Sequence, residues 1–223
     1  MNIVIISLKR AIERRKLMCE QIKNLTAFIH IIDAIDGNIL TENEIPLLKL
    51  EGGWRYGEKF QPGEIGCIKS HMAAIQLAKD NNWDFVIIFE DDITIAEDFE
   101  KRIKLLFKLV PKNWEHIYLS GTPHFQIPFI HIFAQTISSV RTDCAHSYIV
   151  KSSAYDKILE KFNTMITTTD DMIIDMIFRD RNLISYTYFP FVTYANSSYS
   201  YIWDKTAGHN AKNESKNYFV NKI

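Results

Sequence analysis

Cysteine is scarce in this chain, and its scarcity sets the first boundary. Cys19, Cys67 and Cys144 are the only three in 223 residues and form no CxxC pair. They read as reduced thiols, not as a disulfide framework or a zinc site. Long apolar runs are missing as well. The opening run Ile3 to Ile6 gives way to charge by Lys9, too early for a signal peptide, and no basic region precedes it. No stretch approaches the roughly 18 apolar residues of a membrane span. Nor is there an excess of one charge. Lys and Arg number 26 against 27 Asp and Glu, a formal net charge of -1, so nothing electrostatic points to nucleic acid. Walker-type phosphate loops, GxGxxG fingerprints and GxSxG elbows are absent, which removes the usual sequence support for hydride transfer and serine hydrolysis. These absences leave a globular protein of the cytoplasm as the expectation.

What is present fits one α/β domain over residues 1–223, with a tail from about residue 204 expected to be loosely held. Hydrophobic residues make up 47% of the chain, enough for a full core in one domain of this length. Ile3 to Ile6 is a β-branched run of the kind buried on both faces of a parallel sheet. A helix over Ala11–Leu25 and a second strand over Phe28–Ile32 complete a βαβ unit, closed by the turn-rich Asp33-Ala34-Ile35-Asp36-Gly37. Residues 41–62 are irregular and read either as a loop over a ligand or as a structural excursion. Ile65, Ile68, Met72 and Ile75 mark one face of a helix over Gly63–Asp80. Asp84 to Phe89 is the clearest buried strand. Further helices are expected over Glu97–Val110, Ser153–Phe162 and Thr169–Arg179, the last with Thr169 as N-cap, and further strands over Ile117–Leu119, Ser147–Val150 and Ile184–Phe189.

The chemistry-bearing residues cluster at strand ends. Glu90-Asp91-Asp92 follows the buried strand directly, and three successive carboxylates there repel one another unless a cation is present. Alternation predicts Glu90 and Asp92 on one face and Asp91 on the other. An acid-x-acid pair suits Mg2+ or Mn2+, which prefer carboxylate and phosphate oxygens; an ordinary acidic turn is the alternative. Asp170 and Asp171 could supply a general base, or could simply stabilise a helix N-terminus. His71, alone, reads as a structural histidine more readily than as a ligand. His116, His124, His131, His146 and His209 show no metal spacing. Arg10 and Arg14 could meet a pyrophosphate or form a solvated helix face. Tyr194, Tyr199, Tyr201 and Trp203 could stack on a sugar or base, or pack the domain edge.

Taken in order, several segments resemble one family. They are Ile5 to Arg10 with Arg14, Asp33 to Gly37, Gly63-Glu64-Ile65-Gly66-Cys67 with Ser70-His71, Phe89 to Asp92, Trp114 to Leu119, Ala145 to Val150, and Thr169-Asp170-Asp171. The set is similar to glycosyltransferase family 25, the lipooligosaccharide-type transferases that include the procollagen galactosyltransferases. That resemblance implies a GT-A-like nucleotide-binding fold with a mainly parallel sheet. It also implies inverting transfer of a hexose, galactose foremost, from a UDP-sugar to a glycan acceptor such as lipooligosaccharide, at the inner face of the membrane if the acceptor is lipid-linked. By the same resemblance Glu90 and Asp92 hold Mn2+ or Mg2+, Asp170 is the base with Asp171 as its rival, and Ser7, Arg10, Arg14, Asp33, His71 and Asp91 surround the donor. The Thr122–Ser139 stretch and the tail after Ser198 follow no family pattern. The competing readings are a catalytically degenerate binding module and a metal-dependent nucleotidyltransferase or phosphoesterase.

Overall fold

A computed structural model of the chain describes residues 1–52, 55–123, 136–138, 141–196, 199–200, 205–206, 216 and 219–221. Its frame is a seven-stranded sheet. The strands are β1 (Asn2–Ser7), β2 (Phe28–Asp33), β3 (Phe85–Glu90), β5 (His116–Tyr118), β7 (Thr136–Ser138), β9 (Ser147–Lys151) and β10 (Ser185–Phe189). Their order is β2-β1-β3-β9-β5-β10-β7. β1, β2, β3, β5 and β10 point one way, while β9 and β7 run against them, so the sheet is mainly parallel by direction. The antiparallel β9, wedged between β3 and β5, is a departure from a wholly parallel centre. Small two-stranded sheets add β4 (Ile93–Ile95) with β11 (Thr193–Ala195), β6 (Thr122–Pro123) with β8 (Thr142–Asp143), and β12 (Tyr199–Ser200) with β13 (Lys205–Thr206).

Helices cover both faces, which explains the unbroken apolar strands. α2 (Pro62–Asp80), α4 (Tyr155–Asn163) and α5 (Thr169–Phe178) bury Val4, Ile6, Val86, Ile88, Tyr148 and Val150 on one side. On the other, α1 (Ile12–Ile22) and α3 (Phe99–Leu109) enclose Ile3, Ile5, Ile87, Phe89 and Ile149. Odd and even positions thus serve two separate cores, as strands between two layers must. Among the described tail residues, 219–221 are tied down. The buried Arg102 donates from Nη1 to Val220 O at 2.7 Å, and Glu97 N donates to Asn221 O at 3.0 Å. Lys205 and Thr206 form β13, and apart from them and Lys216 the rest of the expected loose tail lies outside the described residues, as do His124, His131, Trp54, Tyr201, Trp203 and His209.

α2 is fastened to the loop between β2 and the first 3-10 turn, and that joint shapes the cleft described below. Gln61 and Glu64 form a reciprocal capping box, and Pro62 opens the helix where no amide is needed. Arg55, nearly buried, holds the Glu64 carboxylate at 2.6 Å. Ser70 Oγ accepts from Ile35 N at 2.8 Å and donates to Gly66 O at 2.6 Å. Gly66 and Gly37 let the two backbones touch. A Cβ at Gly66 would lie 2.4 Å from Ile35 O, and one at Gly37 would lie 2.0 Å from Pro62 O. Backbone on both sides leaves no soft atom to give way. Gly66→Ala is therefore expected to cost about 1–3 kcal/mol and to lower the melting temperature by several degrees. An unchanged thermal unfolding midpoint would contradict this packing.

Candidate active site

The strand ends deliver polar residues to one edge of the sheet. Ile6 of β1 pairs with Glu90 of β3, and Ser7 with Asp33 of β2, so three parallel strands finish side by side. Ligands of open α/β sheets bind beyond such carboxyl ends. The edge opens into a cleft of about 440 Å3, lined by Arg14, the acidic triplet, Cys67 and His71 from α2, residues 143–146 ahead of β9, and Thr168 to Asp171 at the start of α5.

Strand alternation ends at the first residue of the triplet. β3 ends at Glu90, and Asp91-Asp92 form the turn into β4, so the period of two lapses where the chain leaves the extended conformation. Asp91 and Asp92 therefore do not oppose each other as alternation predicts. They share Arg14, whose Nη1 lies 3.0 Å from Asp91 Oδ1 and 3.5 Å from Asp92 Oδ2. Glu90 turns instead to His71, with Nε2 3.1 Å from Oε1. Asn196 N donates to Asp92 O at 2.8 Å and Glu90 N to His146 O at 2.9 Å, so the triplet's backbone is fixed at both ends.

Of the residues matched to the donor, Arg14, His71 and Asp91 line the cleft. Ser7 stands behind them: its Oγ donates to Asp91 Oδ2 at 2.5 Å and accepts from Arg15 Nε at 3.2 Å. Arg10 and Asp33 are not in the lining. Arg10 pairs with Asp36 at 2.6 Å, and Asp33, 60% exposed, is held by Arg15 at 2.6 Å. Arg15, which the motif reading passed over, thus braces Ser7, Leu8 and Asp33 together. Glu90, Asp92, Asp170 and Asp171 all face the same space.

Charge in the cleft is lopsided. Among the described residues, Asp36, Glu64, Glu90, Asp91, Asp92, Asp143, Asp170 and Asp171 line it against one arginine and two histidines, Arg14, His71 and His146. Arg10, Arg55 and Arg141 offset Asp36, Glu64 and Asp143 from outside, leaving the triplet and the Asp170–Asp171 pair as the negative centre. Burial and neighbouring charges together set the ionisation of individual groups. Burial raises the Asp91 carboxyl despite the Ser7 hydrogen bond and the Arg14 charge. Burial also pushes Glu90 up, but the His71 hydrogen bond and charge, then His146 and Arg14, outweigh it and leave Glu90 below the usual range. Asp170 is raised, first by burial and then by the neighbouring Asp171 charge, with Thr168 Oγ1 opposing from 2.8 Å. The N-cap of α5 is Thr168, not Thr169, and its hydroxyl serves the two aspartates in place of the helix amides.

Some of the lining escaped the sequence reading. Asp143, at the end of β8, and Cys144, at φ +77°, have no local pattern to announce them, while His146 lay in the matched segment Ala145 to Val150 without a role assigned to it. Cys67 was legible in principle. Cys-x-x-x-His on a helix puts both side chains on one face, and the structure brings Cys67, His71 and Glu90 ligand atoms within 4.8 Å of one another. His71 is accordingly more than a lone core histidine, and a metal-type cluster exists without paired cysteines.

The sequence profile of Glycosyltransferase family 25 (LPS biosynthesis protein) matches residues 1–174. The chain belongs to glycosyltransferase family 25. It is 29% identical to human procollagen galactosyltransferase 2 over 134 residues, 56% of this chain and 21% of that protein. Zebrafish (Danio rerio) procollagen galactosyltransferase 1 is 25% identical over 172 residues, 71% of this chain and 28% of that protein. The mouse inactive glycosyltransferase 25 family member 3 is 28% identical over 126 residues, 53% of this chain and 21% of that protein. The chain thus spans less than a third of the length of these curated relatives. Among solved structures, a glycosyltransferase involved in the glycosylation of the major capsid of PBCV-1 shares 11% identity and a TM-score of 0.47, covering 92% of both chains.

The Asp170 environment yields a direct expectation. In chelator-treated protein its carboxyl should titrate above the ordinary aspartate value of about 3.9. Asp171→Asn removes the second contributor and should move that midpoint down. Carbon-detected NMR of the side-chain carboxyls checks this; a midpoint at or below the ordinary value, or one unmoved by the substitution, would contradict the assignment.

Proposed function

We propose that this chain transfers a hexose, galactose in the first instance, from a UDP-sugar to a hydroxyl of a glycan acceptor with inversion, assisted by Mn2+ or Mg2+. The observation that carries the reading is the acidic cleft at the carboxyl ends of β1 and β3 in a family 25 chain. A nucleotide diphosphate cannot approach so many carboxylates unaided, because like charges at short range repel by several kcal/mol in a partly buried site. Glu90 and Asp92 are the proposed ligands of the cation. Their fit rests on the chemistry of the donor set: hard carboxylate oxygens that face one cleft at the end of β3. A bound divalent cation would supply charge neutralisation for the departing diphosphate.

The chain's own residues do the rest. Arg14, held in place by Asp91, presents a fixed cation to the diphosphate side of the cleft. Ser7 fixes Asp91, so the Arg14 guanidinium is oriented before substrate arrives. Asp170 takes the acceptor proton at a carboxylate oxygen while the glycosidic bond forms at the anomeric carbon. Its raised affinity for protons suits that task, since a base works best when its pKa approaches the working pH. Asp171 keeps that affinity high. Tyr194 sits on β11 at the domain's edge, with its ring 4.7 Å from Phe219, so the packing role accounts for it without a ligand. No described helix is long and apolar enough to cross a membrane; a lipid-linked acceptor such as lipooligosaccharide would be met at the inner membrane face, with the protein otherwise in the cytoplasm.

A second reading, binding without turnover, has one observation behind it: relatives of similar identity are named inactive. Glu90, Asp92 and Asp170 in one cleft favour turnover, because a binding module has no use for a base.

The test uses UDP release from a panel of UDP-sugars with Mn2+, with and without EDTA. One sugar should give metal-dependent release. Asp92→Ala should abolish it, and Asp170→Asn should cut acceptor-dependent transfer by about 10²–10⁴-fold. The same Asp170→Asn chain should melt at a higher temperature near neutral pH. A carboxyl whose folded pKa is raised contributes its full stability below its unfolded pKa and loses it as pH rises through the folded one. The gain should therefore shrink as pH falls toward the ordinary aspartate range. No release from any UDP-sugar, with full UDP binding, would move the protein to the second reading.

A further inference from the structure

We propose that Cys67, His71 and Glu90 form a binding site for a thiophilic divalent cation, Zn2+ above all, distinct in ligand chemistry from the hard-cation site of the acidic triplet. Cys67 and His71 stand one turn apart on α2 and meet Glu90 at the end of β3. The ligand atoms lie within 4.8 Å of one another, with His71 Nε2 at 3.1 Å and Cys67 Sγ at 3.8 Å from the same Glu90 Oε1. Tetrahedral zinc with bonds of about 2.0–2.3 Å separates its ligand atoms by about 3.3–3.6 Å. Small side-chain adjustments would bring this trio to that geometry.

The surroundings are those of a supported site. His71 Nδ1 is engaged by Tyr148 OH at 2.7 Å, which fixes the ring with Nε2 toward Glu90. Thr169 Oγ1 lies 3.3 Å from Cys67 Sγ and orients the sulfur. His71 and Tyr148 are buried, while Cys67 and Glu90 are partly open to the cleft. Three protein ligands with a fourth direction open is the arrangement of exchangeable zinc sites. Sulfur and imidazole nitrogen select Zn2+ over Mg2+ and Mn2+, which favour all-oxygen sets. Binding would release the Cys67 thiol proton to solvent, since the thiolate is the ligand. Glu90 belongs to both sets, so Zn2+ would compete with the activating cation and inhibit. That competition rests on the proposed transferase reading, whereas the binding itself does not.

Co2+ added to the full chain tests the site directly, because thiolate ligation gives a near-ultraviolet charge-transfer band. One equivalent should produce the band, and an equivalent of Zn2+ should discharge it. Cys67→Ser should lose the band and Asp92→Ala should keep it, each compared after thermal unfolding confirms the fold. His71→Gln should weaken Zn2+ by at least about tenfold. Wild-type protein without the band would overturn the proposal irrespective of any variant's folding. Survival of the band in Cys67→Ser, or its loss in Asp92→Ala, would also overturn it. A cobalt band in a protein that releases UDP from no sugar would sink the transferase reading and leave this site standing.

Discussion

Repulsion among carboxylates at the end of β3 and the start of α5 is the constraint around which this molecule is arranged. Arg14 reaches across from α1 to hold Asp91 and Asp92. Arg15, one residue on, draws Ser7 and Asp33 together, and Arg55 neutralises Glu64 under the start of α2. These cations stand around the cleft and leave its centre negative. Burial first, and for Asp170 the Asp171 charge next, raises the proton affinity of Asp170 and Asp91, and the negative centre repels a phosphate that comes without a cation. The chemistry ascribed to the protein follows from that imbalance.

The scaffold makes the imbalance tolerable. Two apolar layers pin β1 and β3 from both faces, so the strand ends cannot splay apart to relieve the charge. Backbone contact at Gly37 and Gly66 closes the loop after β2 against α2, and Ser70 ties the same joint with two hydrogen bonds. Stability spent on holding like charges together is a common feature of active sites, where function and optimal packing part company.

Much of this was legible in the sequence, for physical reasons that also mark the limit. The β-branched run Ile3–Ile6 and the apolar run within Asp84–Phe89 announced buried strands, and the structure gives them two cores. The acidic triplet was visible because three carboxylates after an apolar strand need an explanation. Its internal geometry was not, since alternation holds only while the chain stays extended and β3 stops at Glu90. The antiparallel β9 was hidden because a strand's direction depends on the connections around it, and Ser147–Lys151 reads the same either way. Asp143 and Cys144 reach the cleft through long-range folding alone. Cys67 and His71 carried a helical spacing that pointed to one shared face, and only Glu90, 19 residues beyond His71, turned that face into a cluster.

The central claim is that a divalent cation bridges this cleft and a nucleotide diphosphate. Calorimetric titration of the protein with UDP, in Mn2+ and then in EDTA, addresses it most directly. The account predicts that UDP binds at least about tenfold more tightly with Mn2+, a difference of some 1.4 kcal/mol, and that Asp92→Ala erases the gain. Equal affinity in Mn2+ and EDTA would contradict it and leave the acidic cleft without its proposed purpose.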